Sequence, residues 1–318
     1  MTLSLLDQPA HGTSTPAERL RVTTAAVRVA FCWLGVRKTL TPEQKSQAAE
    51  PFGAEGTFLS ACKKLLDTKH PAYKEVTGVR GKVQAYWKSL TLPYPEAGIR
   101  LIQQEQVEPF HAQMTGFRGQ LDDAVAKLDD HYDELKATAR HRLGDLYDAN
   151  DYPPQLRGLF GIDWEFPSVE PPDYLLQLSP ELYEHERARV AGRFDEAVQM
   201  AEQAFIGELA RLVSHLTERL TGTDGAEHKI FRDTAINNLV EFFDRFKQLN
   251  VRSSAQLDDL VEQAQRVVQG VEPQQLRDRA DLRQHVATQL TQVQATLDGM
   301  MVDRPRRRII RNDQDVQA

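Results

Sequence analysis

The sequence predicts a mainly α-helical α+β protein, with a small β-sheet in its N-terminal half and a long helical hairpin or bundle in its C-terminal half. Three observations predict it. From Ser179 to Met301 apolar residues recur at steps of three and four, the helical period. Two short runs, Val27 to Val36 and Phe160 to Phe166, instead alternate bulky apolar residues with others, which suits a half-buried strand. The 318 residues, 41% hydrophobic, 8% aromatic and 27% charged, have the make-up of a helix-rich soluble chain with modest cores.

Residues 1–14 carry Gly, Pro, Ser and Thr without periodicity and read as a flexible lead-in. A mixed α/β region is expected over 15–175. Thr15, Pro16 and Glu18 supply an N-cap, a proline at the first helical position and the acid of a capping box, so a short helix opens there. The strand from Val27 follows, a run whose residues are also compatible with helix. Thr41 and Pro42 then start a helix, a second is expected from Glu55 to Lys69, and a third carries Val76, Val79, Val83, Tyr86, Trp87 and Leu90 until Pro93. Gly98 to Ile102 reads as extended. Between Gly116 and Leu146, Leu121, Val125, Leu128, Tyr132 and Leu135 form one apolar seam along a long helix, about three heptads. Periodicity specifies a buried face without naming what buries it, so this seam is a candidate surface for a helix of this chain, a second copy or a partner. Asp151 to Pro154 end the helix before the second strand.

The region 176–301 is expected to be all helical. Ser179 and Pro180 open a helix reaching Leu220, its apolar side marked by Val190, Phe194, Val198, Ala201, Phe205, Leu209, Leu212 and Leu216. At about 1.5 Å per residue it spans roughly 60 Å. Further helices follow over His228 to Leu249, Ser254 to Gln269 and Pro273 to Met301. The chain closes with a basic tail, 302–318.

The charge is uneven. Between Arg21 and Gly98 twelve Lys and Arg face six acids, so that a chain of net charge −7 carries +6 in this block and −13 elsewhere. A basic block of this kind attracts an anionic partner or a neighbouring acidic segment. Within it Arg80, Lys82 and Lys88 interleave with Tyr86 and Trp87, a pattern that fits either a nucleic-acid track with stacking rings or an amphipathic helix whose rings are core. Arg304, Arg306, Arg307, Arg308 and Arg311 make a second candidate contact for phosphate or an acidic partner.

Sites for chemistry are sparse. Gly78 to Val83 has the Gly and Lys of a phosphate loop, but at short spacing and with valine where a magnesium-binding hydroxyl is required. The nine histidines contain no His-Glu-x-x-His pair. Asp122, Asp123, Asp129, Asp130 and Asp133 border the apolar seam as a solvated face. No Gly-x-Ser-x-Gly elbow occurs, and Cys62 beside Lys63 and Lys64 would point away from them on a helix. No catalytic, cofactor or metal residue is therefore assigned. Two cysteines fit a reducing compartment, and neither a secretion signal nor a membrane span is found, so a cytoplasmic protein is expected.

Three stretches carry a family resemblance: Val27 to Val36 followed by Arg37, Lys38 and Leu40; Leu92, Pro93, Tyr94 and Pro95 leading to Gly98, Ile99, Arg100 and Leu101; and Arg142 to Leu146 before Asp151, Tyr152 and Pro153. In this order they resemble a bacterial and phage family, domain-of-unknown-function family 3150, over roughly Val27 to Leu220. The resemblance implies an accessory of an ATP-driven remodelling system containing a MoxR-type AAA+ ATPase and a von Willebrand factor A protein. It supplies no functional residues. The expectation is a non-enzymatic adaptor or structural subunit that docks a protein partner through its amphipathic helices. Nucleic-acid binding by the basic first third and the arginine tail is the alternative, and a homo-oligomer is compatible with either.

Overall fold

The computed structural model describes residues 14–221 and 234–302. They fall into a helical unit (14–24, 92–97, 169–221 and 234–302) and a mixed unit (25–91 and 98–168). The first helix, α1 (Pro16–Thr23), has the expected capping box between Thr15 and Glu18 and buries Ala17 and Leu20 in the helical unit. It thus belongs with the C-terminal helices and not with the mixed region where the sequence placed it.

The mixed unit contains β1 (Thr24–Cys32) from Ala25 onward, β2 (Arg37–Thr39), α2 (Pro42–Ala49), β3 (Cys62–Lys64), α3 (Pro71–Ser89), β4 (Thr91–Pro93) through Thr91, β5 (Ile99–Gln103), α4 (Val107–Asp130), α5 (Tyr132–Leu143) and β6 (Gly161–Glu165). The sheet order is β4-β5-β1-β6, with Arg100 of β5 bonded to both the hydroxyl and the carbonyl of Thr91. β1 and β6 run antiparallel, Val29 opposite Trp164 and Phe31 opposite Ile162. Alternation along each strand turns these residues to one face, where they meet α3 and α4. Phe110, Met114, Leu121, Leu128, Val76 and Val83 form the centre of that core.

Three sequence expectations change here. The helix expected from Glu55 to Lys69 is replaced by a 3-10 turn, Gly56–Phe58, and by strand β3, because this stretch pairs with β2; a second 3-10 turn, Glu50–Phe52, precedes it. Non-local pairing overrides a short helical pattern. The helix expected from Gly116 to Leu146 begins already at Val107 and breaks at His131 into α4 and α5. The seam of Leu121, Val125, Leu128, Tyr132 and Leu135 is at most 5% exposed, closed by the mixed unit's own core. It is core and not a surface for a partner.

The helical unit continues with α6 (Tyr174–Leu178), α7 (Pro180–Leu220), α8 (Thr234–Leu249), α9 (Ala255–Val268), α10 (Pro273–Asp278) and α11 (Ala280–Val302). Ser179 caps α7 as expected, its hydroxyl accepting the Leu182 N–H. α7 is the spine: α1, α6, α8, α9 and α11 all pack on it. Phe205 meets Phe242 and Phe246 edge-on, and Tyr94 meets Phe194 at 5.6 Å. The helix expected from Pro273 to Met301 is interrupted at Arg279, whose backbone is extended. Leu257, Leu260, Val261, Ala264 and Val268 of α9 and Val286, Leu290, Val293, Leu297 and Met300 of α11 are buried at the expected helical spacing. Residues 222–233, with the start of the helix expected from His228, and the basic tail beyond Val302 lie outside the described residues. No helix among the described residues is long and apolar enough to cross a membrane.

Candidate functional site

Strands β2 and β3 form a separate two-stranded ribbon, with Arg37 opposite Lys64, Lys38 opposite Lys63 and Thr39 opposite Cys62. Backbone bonds from Leu65 N to Val36 O and from Leu40 N to Ala61 O extend the ladder by one pair at each end. An isolated ribbon of this length is marginal in water, and like charges directly opposite weaken it further. The structure relieves one of the two pairs. Lys63, buried, places Nζ 2.6 Å from Asp151 Oδ2 and donates to Leu146 O at 2.7 Å, while Lys38 pairs with Oδ1 of the same carboxylate. The Asp151 side chain is fully buried.

Burial works against the Asp151 charge, but hydrogen bonds from Lys38 and Lys63, with their positive charges, outweigh it and hold the carboxyl below its usual range. Next to it Tyr152 donates to Leu65 O at 3.0 Å and stacks on Tyr147. Burial first, and then Tyr147 and the Asp151 charge, push its phenol up to about 12. Burial likewise pushes Tyr132 up to about 12. A lysine held between a carboxylate and a carbonyl, beside phenols that keep their protons, is a fastener and not an acid-base pair poised near neutrality.

The segment joining the two strands carries α2 and the two 3-10 turns, and it presents Phe52 and Phe58, 85% and 89% exposed. Its backbone is nevertheless tied down. Gly53 N donates to Glu50 O, Ala54 N to Ala49 O, Phe58 N to Glu55 O and Leu59 N to Gly56 O, all at 3.0 to 3.2 Å. Gly53 takes the left-handed conformation that ends the first turn (φ 60°). Gly56 lies so close to α2 that a Cβ there would sit 2.7 Å from Ser46 N. α2 itself is fixed by a capping box between Thr41 and Gln44. Leaving two phenylalanines in water forgoes roughly 2 to 3 kcal/mol of burial each. On the ribbon, Arg37 and Lys64 remain exposed and have no ion-pair partner among the described residues.

The residues singled out in the sequence end up elsewhere. Gly78 to Val83 lies inside α3, which leaves no phosphate loop. Arg80 packs its guanidinium over Phe31 and Trp33, at 5.1 and 5.0 Å from the ring centres. Tyr86 stacks on Phe110 and meets Phe117, and Trp87 is half-buried against the same core, so these rings are packing residues. Lys82 and Lys88 are exposed, but at 3.6 residues per turn Arg80, Lys82 and Lys88 stand roughly 80° to 160° apart around the helix. They do not make one face. Arg304, Arg306, Arg307, Arg308 and Arg311 lie outside the described residues. Cys32 and Cys62 are both exposed.

Sequence reasoning missed the Lys38, Lys63 and Asp151 cluster, in which Asp151 lies more than eighty positions from either lysine and no member sits in a motif. Gly53 and Gly56 were the available signal that Glu55 does not open a helix. Also missed was a convergence of metal-ligating side chains, His70, His131 and Glu134. A scan against family models matches no family, and searches of curated proteins and of solved structures find no match.

Proposed function

We propose that the protein is a non-enzymatic adaptor that docks a folded protein partner through the Phe52 and Phe58 loop. The observation that carries this reading is the pair of almost fully exposed phenylalanines on a segment whose backbone is pinned at every turn. Ordered, exposed aromatic side chains bury much area on docking at little entropic cost, which is the profile of an interface anchor. Arg37 and Lys64 on the same ribbon, exposed and without an ion-pair partner among the described residues, favour an apolar cleft rimmed by carboxylates. The long helices are not the docking surface in this reading, since their apolar faces are spent inside the chain. A protein is favoured over nucleic acid because the cations of α3 diverge. The resemblance to domain-of-unknown-function family 3150 supports a MoxR-type ATPase or von Willebrand factor A protein as the first partner to try.

The test is quantitative capture from the native host, with and without nuclease, comparing the wild-type chain with a Phe52→Ser, Phe58→Ser double variant. The partner retained by the wild type is expected to bind the double variant at least about a hundredfold more weakly. Thermal stability of the variant should change little, because both rings are almost fully exposed. Equal capture by both chains, or capture abolished by nuclease, would overturn the reading.

A further inference from the structure

His70, His131 and Glu134 come from two places in the mixed unit. His70 is the N-cap of α3, and its Nδ1 accepts the Ala72 N–H at 3.3 Å. His131 is the residue at which α4 ends and α5 begins, and Glu134 follows it by three positions on the first turn of α5. Capping explains each residue alone: a histidine can end a helix, and an acid suits the first turn. It does not explain why the caps of helices that are not consecutive in the chain meet.

They meet closely. The two imidazole rings are 5.1 Å apart, His131 Nδ1 is 3.5 Å from Glu134 Oε2, and one ligating atom from each of the three residues lies within 4.8 Å of the others. Two ligands of a tetrahedral ion with bonds of about 2.0 to 2.1 Å stand about 3.4 Å apart. The His131 and Glu134 pair is already at that spacing, and the His70 ring has to close by no more than about 1.4 Å. His131 and Glu134 are exposed, so their side chains are free to make that adjustment.

We propose that these three residues bind a divalent first-row transition ion of the zinc class. Two imidazoles and one carboxylate are a borderline donor set that suits zinc better than magnesium or calcium, and three protein ligands leave a fourth position for water. The ion fastens the start of α3 to the joint between α4 and α5, where the long helical run is interrupted. Binding also competes with the cap. If the ion takes His70 Nδ1, it takes the lone pair that Ala72 uses. If it takes Nε2, the ring proton moves to Nδ1, which then cannot accept. In either case the 3.3 Å cap bond is given up for the metal bond.

The experiment uses the untagged full chain stripped with chelator, titrated with zinc chloride by calorimetry and with cobalt chloride by visible absorption. One equivalent of zinc is expected to bind and to raise the melting temperature, and cobalt is expected to give the visible band of a low-coordinate nitrogen and oxygen site. His70→Asn and His131→Asn should each weaken zinc binding at least about tenfold. Asn is among the best N-caps, so His70→Asn keeps α3 capped and its loss of affinity is not a loss of fold, as its metal-free melt should verify. His285→Asn, on α11, should bind like the wild type. Absence of stoichiometric zinc binding overturns the proposal, and so does wild-type affinity in either the His70 or the His131 variant.

Discussion

Helix α7 buries twelve side chains along its 41 residues, whereas the β2–β3 ribbon has three residues in each strand and rests on one buried lysine. From Val190 to Leu220 every turn of α7 contributes to the apolar side, so the loss of one contact leaves the rest in place. In the ribbon the same carboxylate neutralises Lys38 and Lys63 together, and a single charge decides whether the strands attract or repel. Distributed apolar packing degrades gradually, and a concentrated ionic contact fails at once. The exposed phenylalanines hang on the second kind.

The largest expected effect follows from removing one member of the buried pair. Lys63→Ala leaves the Asp151 carboxylate buried with only the half-exposed Lys38 beside it, and it should cost about 3 to 5 kcal/mol of ribbon stability. Hydrogen exchange of the β2 and β3 amides, followed alongside urea unfolding, would show the ribbon opening ahead of the core. Replacing both partners, Lys63→Met with Asp151→Leu, should recover most of that loss. If the single and double variants are equally destabilised, the ribbon does not depend on the charge.

A smaller effect is expected on the other side of the comparison. Val213, fully buried on α7, should cost about 2 kcal/mol as Val213→Ala, with helix content by circular dichroism unchanged. Local fraying of α7 in that variant would show that its stability is less evenly spread than its burial pattern. The mildest perturbation is acid. The Asp151 carboxyl is held below its usual value in the folded chain, so its contribution is complete above the ordinary carboxylate range near 3.8 and is lost as pH falls through the depressed folded value. Exchange protection of the ribbon should therefore persist down to about pH 4 and fall below it, and Asp151→Asn should remove that dependence.

The same contrast explains what was legible in the sequence. Ser179 and Pro180 announce α7, and its seam can be followed turn by turn, because helix caps and periodicity are local. Even there Ile206 and Val213 belong to the buried side while Leu212 is only half-buried, since the stripe drifts slowly around a long helix. Phe110, Met114 and Phe117, all buried, carry the helical spacing that would have placed the start of α4 before Gly116. The strands at Val27 and Phe160 could be read from alternation, but their pairing could not. Cys62 to Lys64 gave no sign of its partner, because Arg37 to Thr39 is too short and polar to alternate. The pairing of Lys63 with Asp151 depends on the finished fold and has no signature in either neighbourhood.

The passage of the chain between the two units gives the fold an order in time. The helical unit opens with α1, then the chain enters the mixed unit after Thr24, returns for 92–97, leaves again and comes back for good after Ser168. As the polypeptide emerges from the ribosome, the mixed unit is complete once residue 168 has been made. α1 is by then long synthesised, and its buried side, Ala17 and Leu20, lacks its main packing helix until α7 appears. α1 therefore docks only once α7 is made, and a nascent chain stalled before Ser179 would carry a finished mixed unit with α1 still lacking that partner.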